Sequence, residues 1–458
     1  MRINPFKHLA FYSLVFFTLG VQAQGSSGQN FIRSPYSNYG IGEWTYTNPI
    51  QSSTAQHTYA GHFSYTLSNP ATLGNVRYTV FDFAGNFRNG TTQLNDKYND
   101  FNGGGISYMS LALPIWKKVT QKLISEDSLT GRKTWQFNPY GASSSITLKP
   151  MTTMGYEYHL DDEGVLPGRT TYTGSGGVNL LQWNTGFRIG NWVNLGYGLG
   201  YAFGSTRDNA FYSIIDSFQL GAIDDAQDLK IRGMQQQVGA LFEFKLDSTY
   251  HKIGGSYEWF PNMRATRNRV TRSMQVIGST VRTLDTILNE NSVEESFDLP
   301  TSFGVGYSVR YRRSLMLALD WRRQTWSNGF KAFWEKNSDY RDRNDYSASL
   351  FINPVDRKAP NEKKMKIPVR LSYGYGESNV QVTQGQNTFA LQEHRVGIGF
   401  GIPIIRRYFD NSVLTNMVHV DFQYINRSLS PTLPKENFFT VSLGIQMGDI
   451  WFAKRKYD

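Results

Sequence analysis

The chain has no cysteine among its 458 residues. Disulfides, thiol catalysis and Cys-ligated zinc are thereby excluded, as is lipoprotein processing, which needs a Cys at the cleavage site. Beyond the N-terminus no stretch approaches the roughly 20 apolar residues of a membrane-spanning helix. Hydrophobic residues make up 40%, below the roughly 45–50% of a soluble domain, so a bundle of membrane helices is excluded as well. Histidines are few and scattered. His57 and His62 are the closest pair, and no His-x-x-x-His spacing occurs, so neither a metal nor a cofactor is expected. Gly103-Gly104-Gly105 lacks the Lys-Ser/Thr of a phosphate loop. Asp161-Asp162-Glu163 could offer oxygens to a divalent cation but reads better as a solvated turn. No group of residues forms a nucleophile, base and oxyanion set, so the chain is not expected to be an enzyme. Acidic residues are outnumbered 37 to 47, for a formal charge of +10. A basic surface suits anionic lipid or lipopolysaccharide. Nucleic acid is set aside, because the cations are dispersed rather than clustered.

What is present is an export signal and a period of two. Arg2 and Lys7 precede an apolar run from Leu9 to Val21, and Val21-Gln22-Ala23 offers a small-residue cleavage site. Residues 1–23 are read as a signal peptide. Glycine and aromatics are abundant, with 43 Gly, 30 Phe, 27 Tyr and 10 Trp. In 301–312 Phe303, Val305, Tyr307, Val309 and Tyr311 alternate with Gly304, Gly306, Ser308, Arg310 and Arg312. The same split recurs in 193–203, 315–322, 367–375 and 396–402. A soluble sandwich also alternates, but the second face here carries Arg188, Glu258, Arg310, Asp320, Arg322, Arg370 and Asp421. A dry core rejects so many charges, whereas a wet lumen accepts them. The fold expected is therefore all-β, a transmembrane antiparallel β-barrel. Fourteen strands are placed, near 76–88, 101–113, 141–158, 178–189, 193–203, 233–246, 252–261, 301–311, 315–326, 345–353, 366–376, 391–402, 413–426 and 438–449. Gly190-Asn191-Trp192 and Arg312-Arg313-Ser314 are short turns on one side. The segments 204–232, 262–300 and 327–344 are read as long loops on the other. Residues 114–140 are a long connection on the short-turn side. This asymmetry places both termini in the periplasm and the chain in the cell outer membrane of a Gram-negative envelope.

Three segments carry a family resemblance. Ser68-Asn69-Pro70-Ala71-Thr72-Leu73 matches an Asn-Pro-Ala motif ahead of the first strand. Leu299-Pro300-Thr301-Ser302-Phe303, through Leu319-Asp320-Trp321 to Thr325-Trp326-Ser327, looks like a central hairpin. Ile450-Trp451-Phe452-Ala453-Lys454-Arg455-Lys456 looks like a last strand running into a short basic tail. With these the chain resembles the FadL-type family of outer-membrane long-chain fatty-acid transporters. Ser34-Pro35-Tyr36-Ser37-Asn38-Tyr39-Gly40-Ile41-Gly42 resembles the start of mature chains in the branch with that tail. The resemblance implies a fourteen-stranded barrel over 71–452, an N-terminal hatch over 24–70 inside the lumen, and a basic tail at 453–458. It also implies lateral release of a hydrophobic ligand through a kink in the third strand, for which Pro150 is the candidate. The plainer alternative is that Pro150 ends a shorter strand. Asn69 and Pro70 mark the hatch motif. Arg310, Asp320, Arg322 and Arg188 are candidates either for contacting a ligand on its path or for pinning the hatch. Two functions follow. The first is hatch-gated uptake of hydrophobic, fatty-acid-like molecules. The alternative is a non-transporting scaffold that binds partners in an envelope secretion or outer-membrane assembly complex. The partners implied are lipid or lipopolysaccharide, a hydrophobic small molecule, and an envelope protein complex.

Overall fold

A computed structural model describes residues 34–45, 55–94, 97–116, 122–127, 132–136, 140–162, 168–214, 220–277, 280–311, 314–332, 340–353, 367–384, 387–407, 413–429 and 435–449. The signal-peptide and tail assignments lie outside these residues. Strand β1 (Glu43–Trp44) belongs to the N-terminal segment. The wall starts with β2 (Thr79–Leu94) and β3 (Lys97–Trp116). A separate hairpin follows, β4 (Lys122–Asp127) with β5 (Arg132–Gln136), so the long connection at 114–140 is not a plain turn. The wall continues with β6 (Gly141–Asp162), β7 (Gly168–Ile189), β8 (Val193–Ile214) and β9 (Leu220–Leu246). β10 (Thr249–Trp259) and β11 (Met263–Ile277) run end to end along β9 as one barrel strand, interrupted at Phe260-Pro261-Asn262. β12 (Thr280–Phe297) and β13 (Ser302–Tyr311) make the next in the same way, against β11 and β10. The rest are β14 (Leu315–Gln324), β15 (Arg343–Ile352), β16 (Val369–Gln384), β17 (Asn387–Arg407), β18 (Val413–Ser428) and β19 (Lys435–Asp449).

β19 pairs with β2 and closes the sheet, giving fourteen antiparallel barrel strands. Closure satisfies the backbone polar groups that lipid cannot. The alternation read from sequence sorts the side chains onto the expected faces. Trp183, Leu195, Phe242, Ile398 and Leu443 stand exposed on the outer face, while Gln182, Asn194 and Leu241 are buried inside. No helix among the described residues is long and apolar enough to cross a membrane.

One expectation fails at the barrel's far end. Segments 204–232 and 262–300 are not loops. β8 and β9 stay paired from Ser213↔Ala222 downward, and β11 and β12 from Ile277↔Thr280. Strands β6 to β9, β11 and β12 therefore rise as a tall panel beyond the apolar belt. β14 and β15 have 10 residues each and leave a low rim beside it.

Candidate functional site

The face opposite the apolar one meets the chain's own N-terminal segment. Near the short turns, Pro70–Asn75 forms a 3₁₀ turn capped by Asn69. The Asn69 Oδ1 accepts from Ala71 N at 3.0 Å, and its Nδ2 donates to His57 O at 2.8 Å and to Ala240 O at 3.1 Å. One side chain thus caps the turn, fixes a second stretch of the segment and ties both to β9. Glycine makes the close approach possible: a Cβ at Gly196 would run into Ala71 N, and one at Gly254 into His57 O. Asp320 on β14 receives Gln56 N at 3.1 Å and His57 N at 3.0 Å, with His57 Nδ1 at 2.9 Å. His57 is buried, so this carboxylate stands in for water on three donors.

The lumenal residues singled out from sequence do not form one cluster. Asp320 holds His57. Arg322 turns to the wall, donating from Nη2 to Glu258 at 2.8 Å and from Nε to Ser302 Oγ at 2.7 Å. Arg310 lies at the short-turn mouth, its guanidinium 5.2 Å from the Tyr250 ring centre. Arg188 meets Asn75 of the N-terminal segment and lies 3.6 Å from Glu243. Alternation places a residue on a face but says nothing of its partner around the circumference.

Further from the short turns, residues 34–45 run beside β6. β1 pairs with it at Glu43↔Thr153 and Trp44↔Thr152. Ser34 N donates to Gly155 O at 3.1 Å, and Thr45 N to Met151 O at 2.8 Å. The edge of β6 is available there because the β3 ladder ends at Met109↔Leu148. Pro150 sits at that break. It pairs with Asn179, the register then shifts, and Thr152 pairs with Val178, leaving Met151 as a bulge. The strand does not end at Pro150; it continues to Asp162.

Sequence reasoning missed the largest feature. Arg427 on β18 is the hub of a buried network. Its Nη2 lies 2.5 Å from Glu43 of β1, its Nη1 3.6 Å from Glu436 of β19, and its Nε contacts Glu393 of β17. Arg88 of β2 adds to Glu43 at 3.4 Å. Arg395 bridges Glu393 at 2.8 Å and Asp345 at 3.3 Å, and Arg343 closes on Asp345 at 2.7 Å. Ser34 Oγ donates to Glu436 at 2.6 Å. Four arginines and four carboxylates balance one another, as buried charges must. The inward parity of Arg395 and Arg427 was readable; the entry of Glu43 was not, because its segment has no strand period.

An apolar layer lies beside the network. Ile41 and Trp44 pack with Met151, Leu180, Leu229 and Met263. The Trp44 ring meets Phe260 and Trp326 edge-on at 5.9 and 5.5 Å. Among the described residues no group of histidines and carboxylates could hold a metal ion.

These features define a class: a closed, fourteen-stranded transmembrane-type barrel whose inward-facing side chains contact residues of the N-terminal segment. Within that class the chain belongs to the BamG family, whose model matches residues 6–123 and 137–458. The FadL-type likeness holds at the level of fold. A FadL homologue from Pseudomonas aeruginosa superposes with a TM-score of 0.52 at 10% identity, covering 88% of this chain and 99% of that one. The toluene transporter TodX from P. putida gives 0.50 at 11% identity, covering 86% and 99%. No curated protein matches the chain.

Proposed function

We propose that this chain works as a sealed, partner-binding barrel of an outer-membrane assembly or secretion complex, with lumenal transport secondary or absent. The observation that carries the reading is the network around Arg427, which fastens the N-terminal segment to β2, β17, β18 and β19 through buried charges. Removing one partner from such a network costs about 3–5 kcal/mol. A segment that moved on every transport cycle would pay that each time, whereas a fixed plug does not. Membership of the BamG family supports the same reading, while the likeness to the FadL homologue and TodX supports the uptake reading below.

The test is affinity purification from native membranes, paired with reconstitution into vesicles. The expected result is stoichiometric recovery with other envelope proteins and no uptake of a labelled fatty acid. Recovery of the chain alone, with vesicles that take up the label, would overturn it.

A second reading, uptake of hydrophobic molecules with lateral release, is favoured by one specific observation. Among the described residues, β3 and β6 share no ladder beyond Met109↔Leu148, and Pro150 stands at the opening. On that reading, density for an acyl chain or detergent is expected beside Pro150 in a high-resolution map.

A further inference from the structure

The short-turn mouth of the lumen differs from the rest of its interior in charge. Around Arg427 every arginine meets a carboxylate. At the mouth the cations outnumber their partners. The Arg77 side chain donates from Nη1 to the carbonyls of Gly74 and Val76, at 3.0 and 3.4 Å. Arg310 and Lys245 lie over the same Tyr250 ring, at 5.2 and 5.6 Å from its centre, and neither has a recorded ion pair among the described residues. Lys252 and Arg188 share one carboxylate, Glu243, at 3.4 and 3.6 Å. Asp247, exposed in the β9–β10 turn, lies at the same rim. Among the described residues these five cations have one carboxylate, Glu243, in recorded ion pairs between them. Lys245 and Arg310 are exposed, so their charge is open to an incoming anion.

The spread of these cations sets the size of that anion. Arg188, Lys245, Lys252 and Arg310 sit on β7, β9, β10 and β13, which lie in the ladder order β7-β8-β9-β10-β13. Four strand intervals span about 19 Å at ~4.8 Å each, the length of roughly six extended residues. A single phosphate or carboxylate reaches one or two of these cations. An extended acidic peptide reaches them all, and Tyr250 offers it an aromatic surface midway.

We propose that the short-turn mouth, from Arg77 and Arg188 to Lys245 and Arg310, is a docking site for an acidic, extended segment of a partner protein. This deepens the partner-binding reading above and rests on it. The site attracts by net charge and holds by multiple contacts.

The probe is fluorescein-labelled hexaglutamate, titrated against the full-length protein in detergent and read by anisotropy. Binding that weakens as salt rises is expected. Lys245→Glu combined with Arg310→Glu is expected to weaken it by about tenfold, while heat-modifiable migration on gels shows the barrel still folded. Lys245→Arg with Arg310→Lys is expected to retain it. Equal binding of hexalysine, or hexaglutamate binding unaffected by the double reversal, would overturn the proposal. So would competition by inorganic phosphate at the peptide's own concentration, which would mark a small-anion pocket. The titration needs no partner from the cell. Failure here with intact co-purification therefore sinks the docking site and leaves the partner-binding reading standing.

Discussion

Arg427 and Arg207 make the same kind of pair in two different places. Arg427 meets three carboxylates inside the lumen, with its side chain 9% exposed. Arg207 meets Asp228 across the β8–β9 hairpin at 2.5 Å, with its side chain 67% exposed. The contact distances are alike, so geometry does not separate them; solvent does. Water screens the hairpin pair and competes for its hydrogen bonds, leaving about 0–1 kcal/mol. Inside the lumen the charges have one another and little else, so the loss of one strands the rest. The hairpins can lose a pair and keep their ladder. The N-terminal segment depends on its pairs, because β1 contributes only two ladder residues.

The sharpest test of that contrast is Arg427→Met. Glu43, Glu393 and Glu436 would then face one another without their central cation. A loss of about 3–5 kcal/mol is expected, read as faster amide exchange over 34–45 while the wall strands stay protected. An effect no larger than that of Arg207→Ala would break the comparison. Asp320→Ala comes next. It removes the acceptor of Gln56 N and His57 N, both tied to a buried site, and should cost about 2–3 kcal/mol. Amide exchange confined to residues 55–58 would report it. Gly196→Val places a side chain where Ala71 N now lies. It should cost about 1–3 kcal/mol and loosen Pro70–Asn75, leaving residues 34–45 as protected as before.

Much of the barrel was legible because lipid writes a period of two onto each strand. All fourteen strands fall where the sequence places them; the placement at 345–353 rests in part on the even count a closed barrel needs, and there Tyr346 and Ile352 face out. The tall panel was not legible. Leu220 to Arg232 runs Leu-Gly-Ala-Ile-Asp-Asp-Ala-Gln-Asp-Leu-Lys-Ile-Arg. Its last residues alternate, with Leu229 and Ile231 buried and Lys230 and Arg232 exposed; from Asp224 to Asp228 neither face is buried, so no contrast between faces remains to be read there. In that stretch the ladder, with exposed ion pairs beside it, holds the hairpin. Inside the lumen the limit is different. Parity pointed Asp320 inward, but its partner His57 lies 263 residues away, and Glu43 meets Arg427 across 384. Which inward residues meet depends on position around the circumference and on the path of a segment that has no period of its own.

The smallest effect expected is the most diagnostic of solvent screening. Arg269 holds Asp225 across β11 and β9, with Nη2 at 2.8 Å from Oδ2 and Nε at 3.0 Å from Oδ1. Hydrogen bonds from Arg269, more than its charge, hold the Asp225 carboxyl below the usual aspartate range, against a partial burial that raises it. A carboxyl lowered on folding stabilises above its unfolded value, near 3.9, and that contribution disappears as pH falls through the lowered value. The hairpin should therefore exchange its amides at an unchanged intrinsic-corrected rate from neutral pH down to about 4, and faster only below. Arg269→Ala should remove about 1 kcal/mol or less at neutral pH, and high salt should shrink even that. A larger loss, or one insensitive to salt, would mean that the panel is held by its ion pairs rather than by its ladder, and the distinction between lumen and hairpin would fall.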